Sequence, residues 1–228
     1  MKWIPDATGR FRQRPYYSDE ELDTECEIFA ANLLRARHGD VKFPLSTDDL
    51  TVLIERESDE LDMYADLSRP GDLIEGVTEF RPGQKPRVLI SKHLSQSDRY
   101  ANRLRTTLAH EWGHVHFHSF LHSGFPSINL RMFGDEAKHP ENHEGCHTVE
   151  TMPAASAWME WQAWYAAGAL LMPKTALSDL VQNLHDMGED QPDQLVACVS
   201  AQFLVSRDAA RVRLSRLGFF YRNSSCSA

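Results

Sequence analysis

The stretch TTLAHEWGHVHFH, residues 106–118, holds four histidines and one glutamate within nine positions. His110, Glu111 and His114 spell H-E-x-x-H. Two histidines four apart on a helix lie about 40° apart around its axis, so both rings can reach one cation from one face. Glu111, between them, can take a proton from water without itself being a ligand. Leu104, Leu108, Trp112 and Val115 recur at helical spacing on a separate stripe, which lets the helix bury one side and turn its histidines toward a cleft. Composition alone yields roughly 0.04 accidental matches to the motif in a chain like this, so a helical metal site is the expectation. His118, one turn past His114, projects on nearly the same side and is expected to support the site or pack beside it, whereas His116 points to the opposite side. A third histidine ten positions after His110 would complete a ligand set, but Phe120 stands there. The third ligand must come from elsewhere.

A carboxylate on another helix is the natural source. In WMEWQAWYAAGALLMP, Glu160 shares a face with Trp164, Ala167 and Leu171, with Ala163 alongside. A charge on a mostly apolar helix is expensive to bury without a partner, which favours Glu160 as a ligand over an ordinary surface charge. The small residues around it would let this helix approach the histidine helix closely.

The pair AHEWGH and MEWQAWYAAGALLMP resembles the two signatures of the ImmA/IrrE-type metallopeptidases, a H-E-x-x-H helix followed by an E-x-x-A-x-x-x-A-x-x-L-L-M-P helix. The likeness runs roughly from residue 20 into the tail. By this resemblance His110, His114 and Glu160 match the ligands of one zinc ion per chain, and Glu111 matches the catalytic base. Gln162 and Trp164 stand where many members have Glu and Asn, and the 45 residues between His114 and Glu160 exceed the usual gap. The resemblance implies an α+β fold: mainly helical and zincin-like, with a small β-sheet or hairpin and a C-terminal helical segment. It implies a zinc-dependent, site-specific endopeptidase whose protein substrate is a helix-turn-helix repressor of a mobile element or stress circuit. The rival is a non-proteolytic, zinc-containing module that binds a transcriptional regulator. A purely structural zinc site has no use for a base such as Glu111, which favours the enzyme.

The rest of the chain is read around these motifs. At 228 residues, with 42% hydrophobic and 25% charged residues, it suits one domain of usual size, or one domain with a small appendage. The expected division is a metallopeptidase domain over 1–173, interrupted by a loop insertion at 119–150, and a helix-turn-helix-like segment over 174–228. Residues 1–17 read as an extended arm. Ser18 and Gly39 bracket a helix, and Ser46 or Thr47 opens a second. Leu73–Phe80 and Arg87–Ser91 flank turn residues as a hairpin, whose second strand is expected to bind an extended substrate by strand addition. Ser97 or Asp98 opens the histidine helix, and Pro173 ends the glutamate helix. The tail reads as two helices joined near Val205–Ser206.

Four cysteines far apart argue against a disulfide framework. No signal-like or membrane-length apolar run is present, so the cytoplasm is the expected compartment and a membrane is not expected as a partner. A net charge of −9 gives nucleic acid no general attraction. Arg207, Arg211, Arg213 and Arg216 on the last helix would read DNA only from one exposed face, so packing or partner docking is the expected role there. His139, His143, Cys146 and His147 in HPENHEGCH fit no standard zinc spacing and read as a solvated loop rather than a second metal site.

Overall fold

The computed structural model describes residues 1–7, 9, 11–69, 72–121, 128–133, 157–188 and 191–220. In chain order its elements are β1 (Lys2–Pro5), β2 (Gln13–Tyr16), α1 (Asp19–His38), α2 (Thr47–Glu57), β3 (Glu60–Ala65), β4 (Ser68–Arg69), β5 (Asp72–Phe80), β6 (Arg87–Ser91), α3 (Lys92–Ser95), α4 (Ala101–His118), β7 (Ile128–Phe133), α5 (Ala157–Leu171), α6 (Lys174–Asp186), α7 (Pro192–Phe203) and α8 (Arg207–Arg216). This is an α+β, mainly helical architecture, as expected.

Local chemistry explains the helix ends. Ser18 and Glu21 exchange side-chain and backbone hydrogen bonds in a capping box, and Asp19, Glu20 and Glu21 complement the positive end of the helix dipole. Gly39, at φ 77°, closes α1 in the left-handed conformation with its N–H on the Arg35 carbonyl. Ser46 and Asp49 repeat the capping box on α2. Pro173 does not merely stop α5; it caps α6, a helix the sequence reading did not identify. The histidine helix begins at Ala101, after a 3-10 turn over Asp98–Tyr100, rather than at Ser97 or Asp98.

The main sheet runs β3-β6-β5, with β7 paired to β5 and the short β4 folded onto the start of β5. β5 and β6 form the expected antiparallel pair, Val77 opposite Leu89. Three features depart from expectation. The arm over residues 1–17 contains an antiparallel pair, β1 with β2, in which Trp3 faces Pro15. β3 pairs parallel to β6, Leu61 opposite Val88. The insertion after α4 contains a 3-10 turn at Ser119–Leu121 and the strand β7, antiparallel to β5 from Ile74↔Phe133 to Phe80↔Ile128. These pairings overturn the assignment of Arg87–Ser91 as the substrate strand. β6 has β3 on one side and β5 on the other, so its backbone hydrogen-bonding groups are already paired.

α4 runs through the centre. It packs most extensively on α5, then on α2 and β5. Its stripe of Leu104, Leu108, Trp112 and Val115 is buried with Leu22, Cys26, Leu33 and Leu34 of α1, Val88 and Ile90 of β6, and the inner face of α5. Cys26 and Cys198 are free thiols. The tail is fastened to this core by buried arginines. Arg105 of α4 donates to the carbonyls of Phe203, Leu204 and Leu45. Arg213 of α8 pairs with Asp23 of α1 at 2.7 Å and donates to the Met172 carbonyl at 3.1 Å. Arg213 therefore does not belong to an exposed basic face, Arg211 pairs with Asp193, and Arg216 lies over the rings of Trp161 and Tyr165. Among the described residues no helix is long and apolar enough to cross a membrane.

Candidate metal centre

α4 presents His110 and His114 one turn apart, and α5 brings Glu160 against them. The close approach of the two helices depends on Gly113, where a Cβ would lie 3.0 Å from the Ala163 Cα. The ring of Trp164, one turn after Glu160, packs 4.4 Å from that of His110. The result is a buried group in which one ligand atom from each of His110, His114 and Glu160 lies within 4.8 Å of the others.

The separations fit a metal ion. Ligands at 2.0–2.1 Å in a tetrahedron lie about 3.3 Å from one another. Here the His110 Nε2–His114 Nε2 distance is 3.0 Å, and Glu160 lies 3.3 Å from each ring through different carboxylate oxygens. Glu160 Oε1 is buried without a hydrogen-bond partner among the described residues, as expected of an atom whose partner is a cation. Two nitrogens and a carboxylate are a donor set suited to zinc.

Electrostatics separates the two carboxylates. Burial would raise Glu160, but His114 and His110 outweigh it and hold the carboxyl well below the usual range. Burial raises Glu111 to about 7, despite the opposing pull of His114 and a hydrogen bond from Thr78. Burial also lowers His110 to about 4, whereas at His114 the Glu160 carboxylate overcomes burial and raises the ring. Glu160 thus stays ionised, and Glu111 titrates near neutrality.

Two residues that hold Glu111 escaped the sequence reading. Thr78 Oγ1 donates to Glu111 Oε2 at 2.5 Å. Gly76, two positions earlier on the same face of β5, leaves space that a Cβ would fill at 2.4 Å from Glu111 Oε1. A glycine inside a strand commonly marks a close approach, and that was the available signal. His118 lies where expected, buried beside the cluster, with Nδ1 3.1 Å from His114 Nδ1 and Nε2 3.0 Å from Gln162 Oε1. His116 faces away, stacked on Trp112 and paired with Glu57 and Glu25. His139, His143, Cys146 and His147 lie outside the described residues.

No curated protein matches the chain. The model of the IrrE N-terminal-like domain, peptidase family M78, matches residues 74–215. That span opens on the strand that carries Gly76 and Thr78, closes on α8 and covers more than half of the sequence, so the chain belongs to this peptidase family.

Proposed function

We propose that the protein is a zinc-dependent, site-specific endopeptidase, with His110, His114 and Glu160 as metal ligands and Glu111 as general base. The convergence of a buried His–His–Glu group beside a buried carboxylate that is not part of it carries this reading. A zinc ion bound there supplies a Lewis acid for the scissile carbonyl and lowers the pKa of water.

The remaining work falls to the chain's own groups. Glu111, raised by burial to near neutrality, takes the proton from the attacking water and delivers it to the leaving amine. Thr78 holds Oε2, and Oε1 has no hydrogen-bond partner among the described residues, so one oxygen is held while the other receives the proton. Gly76 lets the carboxylate lie against the strand. An extended substrate can join the sheet only at an edge. Among the described residues, the outer side of β7 is the longer of the two edges reached through β5, the strand that holds Glu111; the other is the two-residue β4.

The resemblance to ImmA/IrrE-type peptidases supports a cytoplasmic helix-turn-helix repressor as the target. Metal analysis should find about one zinc per chain. Co-expression of a helix-turn-helix regulator encoded beside this chain's own gene with wild type and with Glu111→Gln, followed by mapping of new termini, tests the activity. Cleavage by wild type alone is expected, with zinc content equal in both. A variant that cuts at the wild-type rate removes Glu111 from the mechanism, and unselective digestion of unfolded proteins removes the dedicated target.

A further inference from the structure

A single backbone carbonyl outside the metal centre determines where the protons sit beside it. Pro15 of β2 offers Gln162 only an acceptor, and Gln162 Nε2 lies 3.2 Å from that oxygen. A carboxamide can meet a carbonyl only through its NH2 group, so Gln162 Oε1 is turned the other way, onto His118 Nε2 at 3.0 Å. That oxygen accepts and never donates, so His118 Nε2 carries a proton. A neutral ring protonated at Nε2 has a bare Nδ1, and this atom lies 3.1 Å from His114 Nδ1. The hydrogen bond between the two rings then needs its proton on His114. With Nδ1 protonated and donating, the other nitrogen of His114 presents its lone pair beside His110 Nε2 and Glu160. Gln162, His118 and His114 are at most 3% exposed, so water does not compete for these bonds.

We propose that Pro15, Gln162 and His118 form a relay that holds His114 in the tautomer and orientation a metal needs, with Gln162 and His118 as positioning residues. The inference rests on His114 being a ligand. It gives β2, far from α4 in sequence, a role in metal affinity, and it explains a buried glutamine on a helix whose other buried residues, Glu160 apart, are apolar or aromatic. Gln162 supplies direction without charge, where a carboxylate in its place would supply both.

The test uses the full chain with zinc or cobalt and a competing chelator. Gln162→Met keeps the volume and removes both bonds, and His118→Phe removes the intermediary. Each is expected to weaken metal binding by about 10- to 100-fold, while the metal-free melting temperature changes little. His118→Gln can accept from His114 and donate to Gln162, so its affinity is expected within about threefold of wild type, a rescue that a packing role would not produce. Nitrogen chemical shifts of the His118 ring in the metal-free protein are expected to show Nε2 protonated and Nδ1 bare, and Gln162→Met to disturb that pattern. Wild-type affinity in Gln162→Met, or a proton on Nδ1 of His118, overturns the relay. Should wild type bind neither metal, the ligand assignment fails by itself, and the ring shifts still decide whether the relay exists.

Discussion

Glu111 is held from the strand side by contacts that make separate demands on single residues. Removing the Thr78 hydroxyl takes away a hydrogen bond to the ionised carboxylate, and such bonds are worth about 1.5–3 kcal/mol. The pKa of Glu111 rises, so in Thr78→Val the acid limb of the kcat/KM profile is expected to move about one unit higher. An unmoved limb would mean that Thr78 does not govern the base. Gly76→Ala acts by volume. Its methyl meets Oε1 at 2.4 Å and must displace the base. A kcat about 100-fold lower with unchanged zinc content is expected, since small misplacements of a reacting group have costs of that order. Wild-type turnover in Gly76→Ala would show that Glu111 has room to spare.

At the level of elements, α4 is tied to its neighbours by charge on the side away from the metal. His116 links it to Glu25 of α1 and Glu57 of α2, at 3.2 and 2.8 Å. Burial alone would lower this ring, but the two hydrogen-bonded carboxylates outweigh it and raise it to about 9. A folded value above the unfolded one means stability that is full below about pH 6.5 and lost as pH rises through about 9. With Glu25 more than a third exposed, the loss is discounted to about 1–2 kcal/mol. Urea melts of wild type and His116→Gln at pH 6.5 and 9.5 should converge at the higher pH; parallel profiles would remove His116 as the cause. A second tie joins α1, α5 and α8, where Arg213 and the Tyr165 hydroxyl both meet the buried Asp23. Arg213→Met leaves that carboxylate without its cation and is expected to cost roughly 3–5 kcal/mol, most of it recovered in Asp23→Asn with Arg213→Met. No recovery in the double variant would place the loss in packing instead.

For the whole molecule, the metal is a brace between helices distant in sequence. His114 and Glu160 come together only in the folded chain, so an ion that binds them favours the folded state by mass action. At a hundredfold excess over Kd the gain is about 2.7 kcal/mol. In a chain of this size that corresponds to a rise in Tm of roughly 5–10 °C. Thermal melts with zinc and with a chelator should show the difference, and Glu160→Ala should abolish it. A Tm indifferent to zinc in wild type would mean that these three residues do not form the site.

The same division between local and distant contacts separates what was legible in the sequence from what was not. His110, Glu111 and His114 could be placed together because a 3.6-residue helix sets their relation within one turn, whatever surrounds it. The capping boxes at Ser18 and Ser46 and the β5–β6 hairpin are equally local, made by residues close along the chain. Glu160 was recognisable because a carboxylate on an apolar helix needs a partner, although its partner His114 lies 46 positions earlier in the chain. β3 was missed because its exposed and half-buried residues show no alternation, and its parallel pairing with β6 depends on a neighbour 27 residues away. Tertiary structure alone put Thr78 and Gly76 on Glu111, closed the second side of β6 with β3, buried Arg213 against Asp23, and turned Gln162 between Pro15 and His118. Each of these depends on strand pairing or helix approach, where a shift of one residue would exchange one side chain for another, and no short window of sequence contains both partners.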